Sequence, residues 1–407
     1  MRTVGLYYHL KPWMPLGLRV MLRRLRVNRL RSTCGDVWPV NPAAAGAPAG
    51  WTGWPEGKQF ALILTHDVES ASGVRKVREL AGIEQRLGFR SSFNFIPEGS
   101  YDTPAELRHW LTNNGFEVGV HDLRHDGKLY SSREGFREKA GRINGYLKDW
   151  NAAGFRSGFM FHELDWIHDL NVIYDASTFD TDPFEPQPAG AGTIFPFWVP
   201  RSGAEGAIAN SGSGKPEAGC PQSQIRNPNS QIDGSQSQIG NPRSQSGQPI
   251  ADGGESLTEF SGPQSKISNP KSQIARSPSA IGRAESQVGP ANSATGSAVS
   301  KISNPKSQIG PGYLELPYTL PQDSTLFVYM REKTDRIWRQ KLEWVAEQGG
   351  MALVNVHPDY MSSKPGTRHW QRYSAGLYEG FLEWVRNRWG DRCWHVLPRD
   401  LATWWTG

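Results

Sequence analysis

Three apolar runs in this chain each end on a residue able to bind a metal or move a proton. FALIL (60–64) leads into Thr65-His66-Asp67, EVGV (117–120) into His121, and ALVNV (352–356) into His357. Short apolar runs rich in β-branched residues read as buried strands. Parallel α/β folds carry their chemistry at the C-terminal ends of such strands. Stretches 92–96 and 394–397 read as further strands, and helical patterns fill about 71–87, 103–113, 132–150, 333–348 and 376–389. Strands alternating with helices predict a parallel sheet, either open or closed into a barrel. Sixteen tryptophans argue for a folded chain, and their flat faces also suit a sugar-handling surface.

Composition divides the chain. Residues 201–311 are rich in Ser, Gln, Asn, Pro and Gly, with Phe260 as their single aromatic, and KISNPKSQI occurs at 266–274 and again at 301–309. A segment so poor in apolar residues does not offset the entropy of ordering itself, and is expected to be a disordered insertion. The expected organisation is a basic N-terminal segment and linker (1–57), a first domain part (58–200), the insertion (201–311) and a second part (312–407).

The net charge of +5 is concentrated at the N-terminus, where no acid precedes Asp36 but eight Lys and Arg residues do. The remainder is near neutral, which excludes a general nucleic-acid footprint. Residues 16–31 read as an amphipathic helix with Leu18, Met21, Leu22 and Leu25 on one side. Such a helix either lies on an anionic membrane surface or packs on the domain. Gly17 and Arg19 interrupt the first apolar stretch, so no signal peptide is read, and no run reaches the roughly 18 apolar residues of a membrane span. A cytoplasmic protein is expected, with peripheral contact at the inner membrane surface only on the first of these two readings of the helix. Cys34, Cys220 and Cys393 form no CxxC pair or even framework, which fits a reducing compartment.

His121 and His125 stand at i and i+4, a spacing that on a helical turn presents both imidazoles to one divalent ion. A hydrolytic metal also needs a third ligand and an open position. Asp67 and Glu69 offer one, because side chains two apart in an extended strand share a face; one carboxylate would bind and the other take a proton. His357 is a candidate general acid, and Arg156 is either a partner orienting a carboxylate or a surface arginine. The acidic stretch 174–188, with Asp175, Asp180 and Asp182, reads equally as a sugar groove or a surface loop.

In order along the chain, FALILTHDVE, RSSFNFI, EVGVHDLRH, GFRSGF and LVNVHPDYM resemble the successive motifs of the polysaccharide deacetylase superfamily, carbohydrate esterase family 4. The resemblance covers roughly 58–200 and 312–400. It implies a distorted (β/α) barrel with its active site at the C-terminal strand ends, interrupted here by the insertion. It implies a divalent metal, usually zinc, and hydrolysis of acetyl groups on an N-acetylated sugar, polysaccharide or lipid-linked glycan. Residue by residue, it implies His121 and His125 as metal ligands, Asp67 as base, His357 as acid and Arg156 as the partner of the base; similarity to members with a D-x-D arrangement implies Glu69 as the third ligand. Two departures stand out. The usual adjacent aspartates are replaced by Asp67-Val68-Glu69, which leaves Asp67 and Glu69 contesting the third ligand position. Arg-x-Pro is replaced by Arg156-Ser157-Gly158, from which a looser loop around Arg156 is expected. Alternatives on the same scaffold are an O-deacetylase, a cyclic-amide hydrolase, or an inactive carbohydrate-binding protein.

Overall fold

A computed structural model describes residues 16–201, 311–363 and 371–407. The expected disorder of 201–311 and the thiol of Cys220 lie almost wholly outside them, whereas Cys34 and Cys393 are buried.

Strand β1 (Phe60–Val68) is buried along its whole length. Its neighbours explain why. β8 (Met351–Val356) pairs along one edge, and β2 (Ser92–Phe95) and β9 (Cys393–His395) share the other, all in parallel. A parallel strand covered on both faces has no polar face to show, hence the unbroken FALIL. Its two faces still differ. Ala61 and Ile63 join an inner cluster with Met351, Leu353, Leu314 and Tyr318. Phe60, Leu62 and Leu64 join the outer layer beneath the helices α2 (Val77–Leu87), α5 (Arg336–Glu347) and α6 (Ala375–Trp389). The sheet continues in parallel from β2 through β3 (Glu117–His121), β4 (Gly154–Arg156), β5 (Tyr174–Asp175) and β7 (Gly312–Glu315).

The sheet then curls back on itself. Beyond β7 the backbone N–H groups of Thr319 and Leu320 both donate to the Leu353 carbonyl, and the Thr319 hydroxyl bonds to the Met351 carbonyl at 2.7 Å. These bonds join the far end of the sheet to β8 and give the expected distorted (β/α) barrel. β6 (Phe197–Pro200) is the exception in direction, running antiparallel to β7 with Pro200 opposite Gly312.

The strands left unread in the sequence are short. β4, β5, β6 and β7 have two to four residues each, too few for a periodic signal. The helix expected over 71–87 is two, a single turn Ala71–Val74 capped by the Ser70 hydroxyl and then α2, ended by Gly88 in the left-handed region. Among the described residues, the remaining helices of eight residues or more are α1 (Leu16–Arg31), α3 (Ala105–Asn113), α4 (Arg133–Trp150) and α7 (Pro398–Thr406).

Candidate active site

The inward face of each strand follows from the alternation of side chains. On β1, Ala61 and Ile63 point inward, so Asp67 does too, and Glu69 continues the series. His66 points outward and is buried against Glu84 of α2, with Nε2 to Oε1 at 2.8 Å. On β8, Met351 and Leu353 point inward, and Asn355 and His357 follow. The same rule places Asn94 on β2, His121 on β3 and Arg156 on β4 around one barrel mouth.

Glu69, His121 and His125 bring one ligand atom each within 4.8 Å of one another. Glu69 Oε1 lies 3.3 Å from His125 Nε2. His121 Nδ1 faces the Arg156 carbonyl at 3.1 Å, while its Nε2 is buried with no hydrogen-bond partner. A backbone carbonyl on one ring nitrogen fixes the tautomer and leaves the other nitrogen as the donor a metal needs. Burial pushes the His121 pKa down against the pull of Asp67, which favours the neutral, ligating form.

The two histidines do not meet on a helical turn. His121 ends β3, and the chain turns through Asp122 (φ 55) and His125 (φ 53), both left-handed. Asp122 holds this turn, its carboxylate accepting from the Leu123 N–H and its own N–H donating to Arg156 O at 2.8 Å. His125 then stacks on Phe159 with ring centroids 4.3 Å apart.

Asp67 stands beside this group. Asn94 Nδ2 donates to its Oδ1 at 3.0 Å and Asn355 Nδ2 to its Oδ2 at 2.8 Å. Arg156 Nη1 lies 3.6 Å from Oδ2, fully buried, so it is no surface arginine. Burial opposes ionisation of Asp67. The Arg156 guanidinium, then His121, His357 and the Asn94 hydrogen bond, outweigh it and hold the carboxyl well below the usual range. Glu69 is also held low, His125 overcoming its burial.

His357 Nε2 is 3.9 Å from both Asp67 Oδ2 and Glu69 Oε1. Its Nδ1 lies 2.6 Å from Oδ1 of Asp323, a fully buried carboxylate that also accepts from the His357 N–H and the Tyr373 hydroxyl. Burial alone would lower the His357 pKa, but the Asp323 charge and hydrogen bond push it up to about 10.

Asp323, Asn94 and Asn355 were not singled out in the sequence. Asn94 and Asn355 did leave a signal: each is a buried amide inside an apolar strand, which requires a partner. Asp323 left none, since it precedes a π-helical turn, Ser324–Tyr329.

Glycines make room for this packing. A Cβ on Gly119 would sit 2.1 Å from Asn94 Oδ1, and one on Gly158 would sit 2.4 Å from Asp122 Oδ2 and 2.8 Å from the His125 ring. The departure at Gly158 therefore has a steric reason. The loop after Arg156 is not loose either: the Ser157 N–H donates to Ser177 Oγ at 2.9 Å and its hydroxyl to the Phe161 carbonyl. The acids of the stretch 174–188 do not stand on a surface loop. Asp175, Asp180 and Asp182 are buried, taking bonds from Ser177, Lys341 and Tyr318 respectively.

No protein-family model matches the chain, and no curated protein sequence matches it. Among solved structures, it is similar to a protein named as a polysaccharide deacetylase from Mycobacterium smegmatis, with 13% identity over 88% of this chain and 93% of that one, at a TM-score of 0.43. A chitin deacetylase from Colletotrichum lindemuthianum aligns at 15% identity and a TM-score of 0.24, covering 28% of this chain and 53% of its own. A peptidoglycan deacetylase from Bacillus subtilis aligns at 14% identity and a TM-score of 0.24, covering 32% and 62%. In the latter two cases the match spans less than two thirds of the other protein.

Proposed function

We propose that this chain is a metal-dependent hydrolase of the polysaccharide deacetylase superfamily, removing acetyl groups from an N-acetylated sugar, polysaccharide or lipid-linked glycan. One observation carries the reading. Glu69, His121 and His125 each bring a ligand atom within 4.8 Å of the others, His121 Nε2 is buried without a hydrogen-bond partner, and Asp67 and His357 stand beside them but outside that triad. Two imidazoles and a carboxylate suit zinc and leave a coordination position open. When bound, such an ion supplies a Lewis acid that lowers the pKa of water and polarises an acyl oxygen.

The protein's own groups divide the proton chemistry. Asp67 stays ionised and, fixed by Asn94 and Asn355, is the base that takes a proton from the attacking water. Arg156 holds that carboxylate in place through charge, and its carbonyl orients His121. His357 carries a proton at neutral pH and gives it to the departing amine nitrogen, while Asp323 stabilises its imidazolium. Acetate and the free amino sugar are the products.

Acetate release from N-acetylglucosamine oligomers and lipid-linked N-acetyl sugars, with and without chelator, tests the reading. Release that stops on chelation and returns with zinc is expected. Release from O-acetyl esters alone would overturn the N-deacetylase assignment, and no release from any acetylated sugar by zinc-replete protein would overturn hydrolysis.

A further inference from the structure

Helix α1 meets the barrel with the side opposite to its leucines. Val20 and Val27 are buried, and Leu30 packs on the outer core. The arginines on that side bind the domain. Arg23 Nη1 donates to the Tyr329 hydroxyl at 2.6 Å, Arg24 Nε to Val328 O at 3.1 Å, and Arg31 pairs with Glu332 at 2.6 Å. Leu18, Met21, Leu22 and Leu25 are left outside, at 40, 50, 41 and 59% exposure. Among the described residues, Ile173 is the one other large hydrophobic exposed to this degree. The spacing i, i+3, i+4, i+7 makes the four a single stripe, and a contiguous apolar stripe turned to water marks an interaction surface.

Charge decides what covers it. No acidic residue precedes Asp36, and eight basic ones do, of which Arg23, Arg24 and Arg31 are turned to the barrel. Arg29 follows Leu25 by one turn and is exposed, as is Arg26, whose Nη2 also donates to Glu185 O at 3.4 Å. Two copies meeting stripe to stripe would bring like charges together, whereas an anionic lipid surface supplies the opposite charge and an apolar layer beneath it. We propose that α1 docks this protein on an anionic lipid bilayer, its leucine stripe sunk to the headgroup boundary and its exposed arginines on lipid phosphates. The docked helix is tied through Arg23 and Tyr329 to the π-helical turn that follows Asp323, so the bilayer contact and the partner of His357 share one element.

The test sediments the full chain with vesicles of phosphatidylcholine alone and of phosphatidylcholine with phosphatidylglycerol. Binding to the mixed vesicles is expected, weakening as salt rises, with none to the neutral ones. Leu22→Glu with Leu25→Glu is expected to weaken partition by at least about tenfold for each leucine. The thermal transition and zinc content should stay unchanged, since both side chains already face water. Absence of binding by the unaltered chain, or equal binding by the double variant, would overturn the proposal. A dimer that the double substitution dissociates, with no vesicle binding, would assign the stripe to a second copy and overturn it too. None of these readouts uses acetate release, so the proposal stands or fails apart from the catalytic reading.

Discussion

At the scale of single residues, the site is a ring of side chains whose neighbours decide their protonation. Asp323 is the main group raising the pKa of His357. The protonated donor is therefore present below about pH 10 and lost above it. Asp323→Asn removes that support, so the alkaline limb of a pH–rate profile should move to lower pH, with a loss of about 10²-fold in kcat near neutrality. An unmoved limb would separate Asp323 from the chemistry. Gly158→Ala makes a different prediction. Its new Cβ would press on Asp122 and His125, and zinc affinity measured by competition with a chelator should fall about 10- to 100-fold, the usual cost of disturbing a ligand's support. Unchanged affinity would show that the turn yields without cost.

At the scale of elements, α5 is tied to the closing side of the barrel by a buried pair, Lys341 Nζ to Asp180 Oδ2, both almost without solvent contact. Lys341→Met would leave Asp180 charged and alone, at a cost of about 3–5 kcal/mol in denaturant unfolding; a loss under about 1 kcal/mol would mean that Asp180 simply protonates. Asp180 also marks where the sequence stopped being legible. FALIL and ALVNV announced β1 and β8 because a buried parallel strand is apolar throughout, and the ligand-capable residues at their ends followed by alternation. β5 has two residues, and the acids after it bury themselves against partners more than a hundred positions away, which no local pattern records. The i, i+4 spacing of His121 and His125 pointed to two rings that do lie together, but not by the geometry it implied. Two left-handed residues, not a helical turn, bring the rings together.

At the scale of the whole molecule, the repeat segment enters and leaves the barrel at one place. Arg201 N donates to Pro311 O at 2.8 Å, and Pro200 faces Gly312 across the β6–β7 hairpin. Deleting 203–309 should leave acetate release intact and raise stability by up to about 3 kcal/mol through the shorter loop to be closed; a loss of the folded state would assign the segment a structural part. No helix among the described residues is long and apolar enough to cross a membrane. In the proposed reaction two acids two residues apart divide the labour. Zinc content of purified Asp67→Asn and Glu69→Gln, read beside acetate release, tests that division. Asp67→Asn should keep its zinc and lose turnover, while Glu69→Gln loses both. Zinc lost from Asp67→Asn and retained by Glu69→Gln would reverse the assignment.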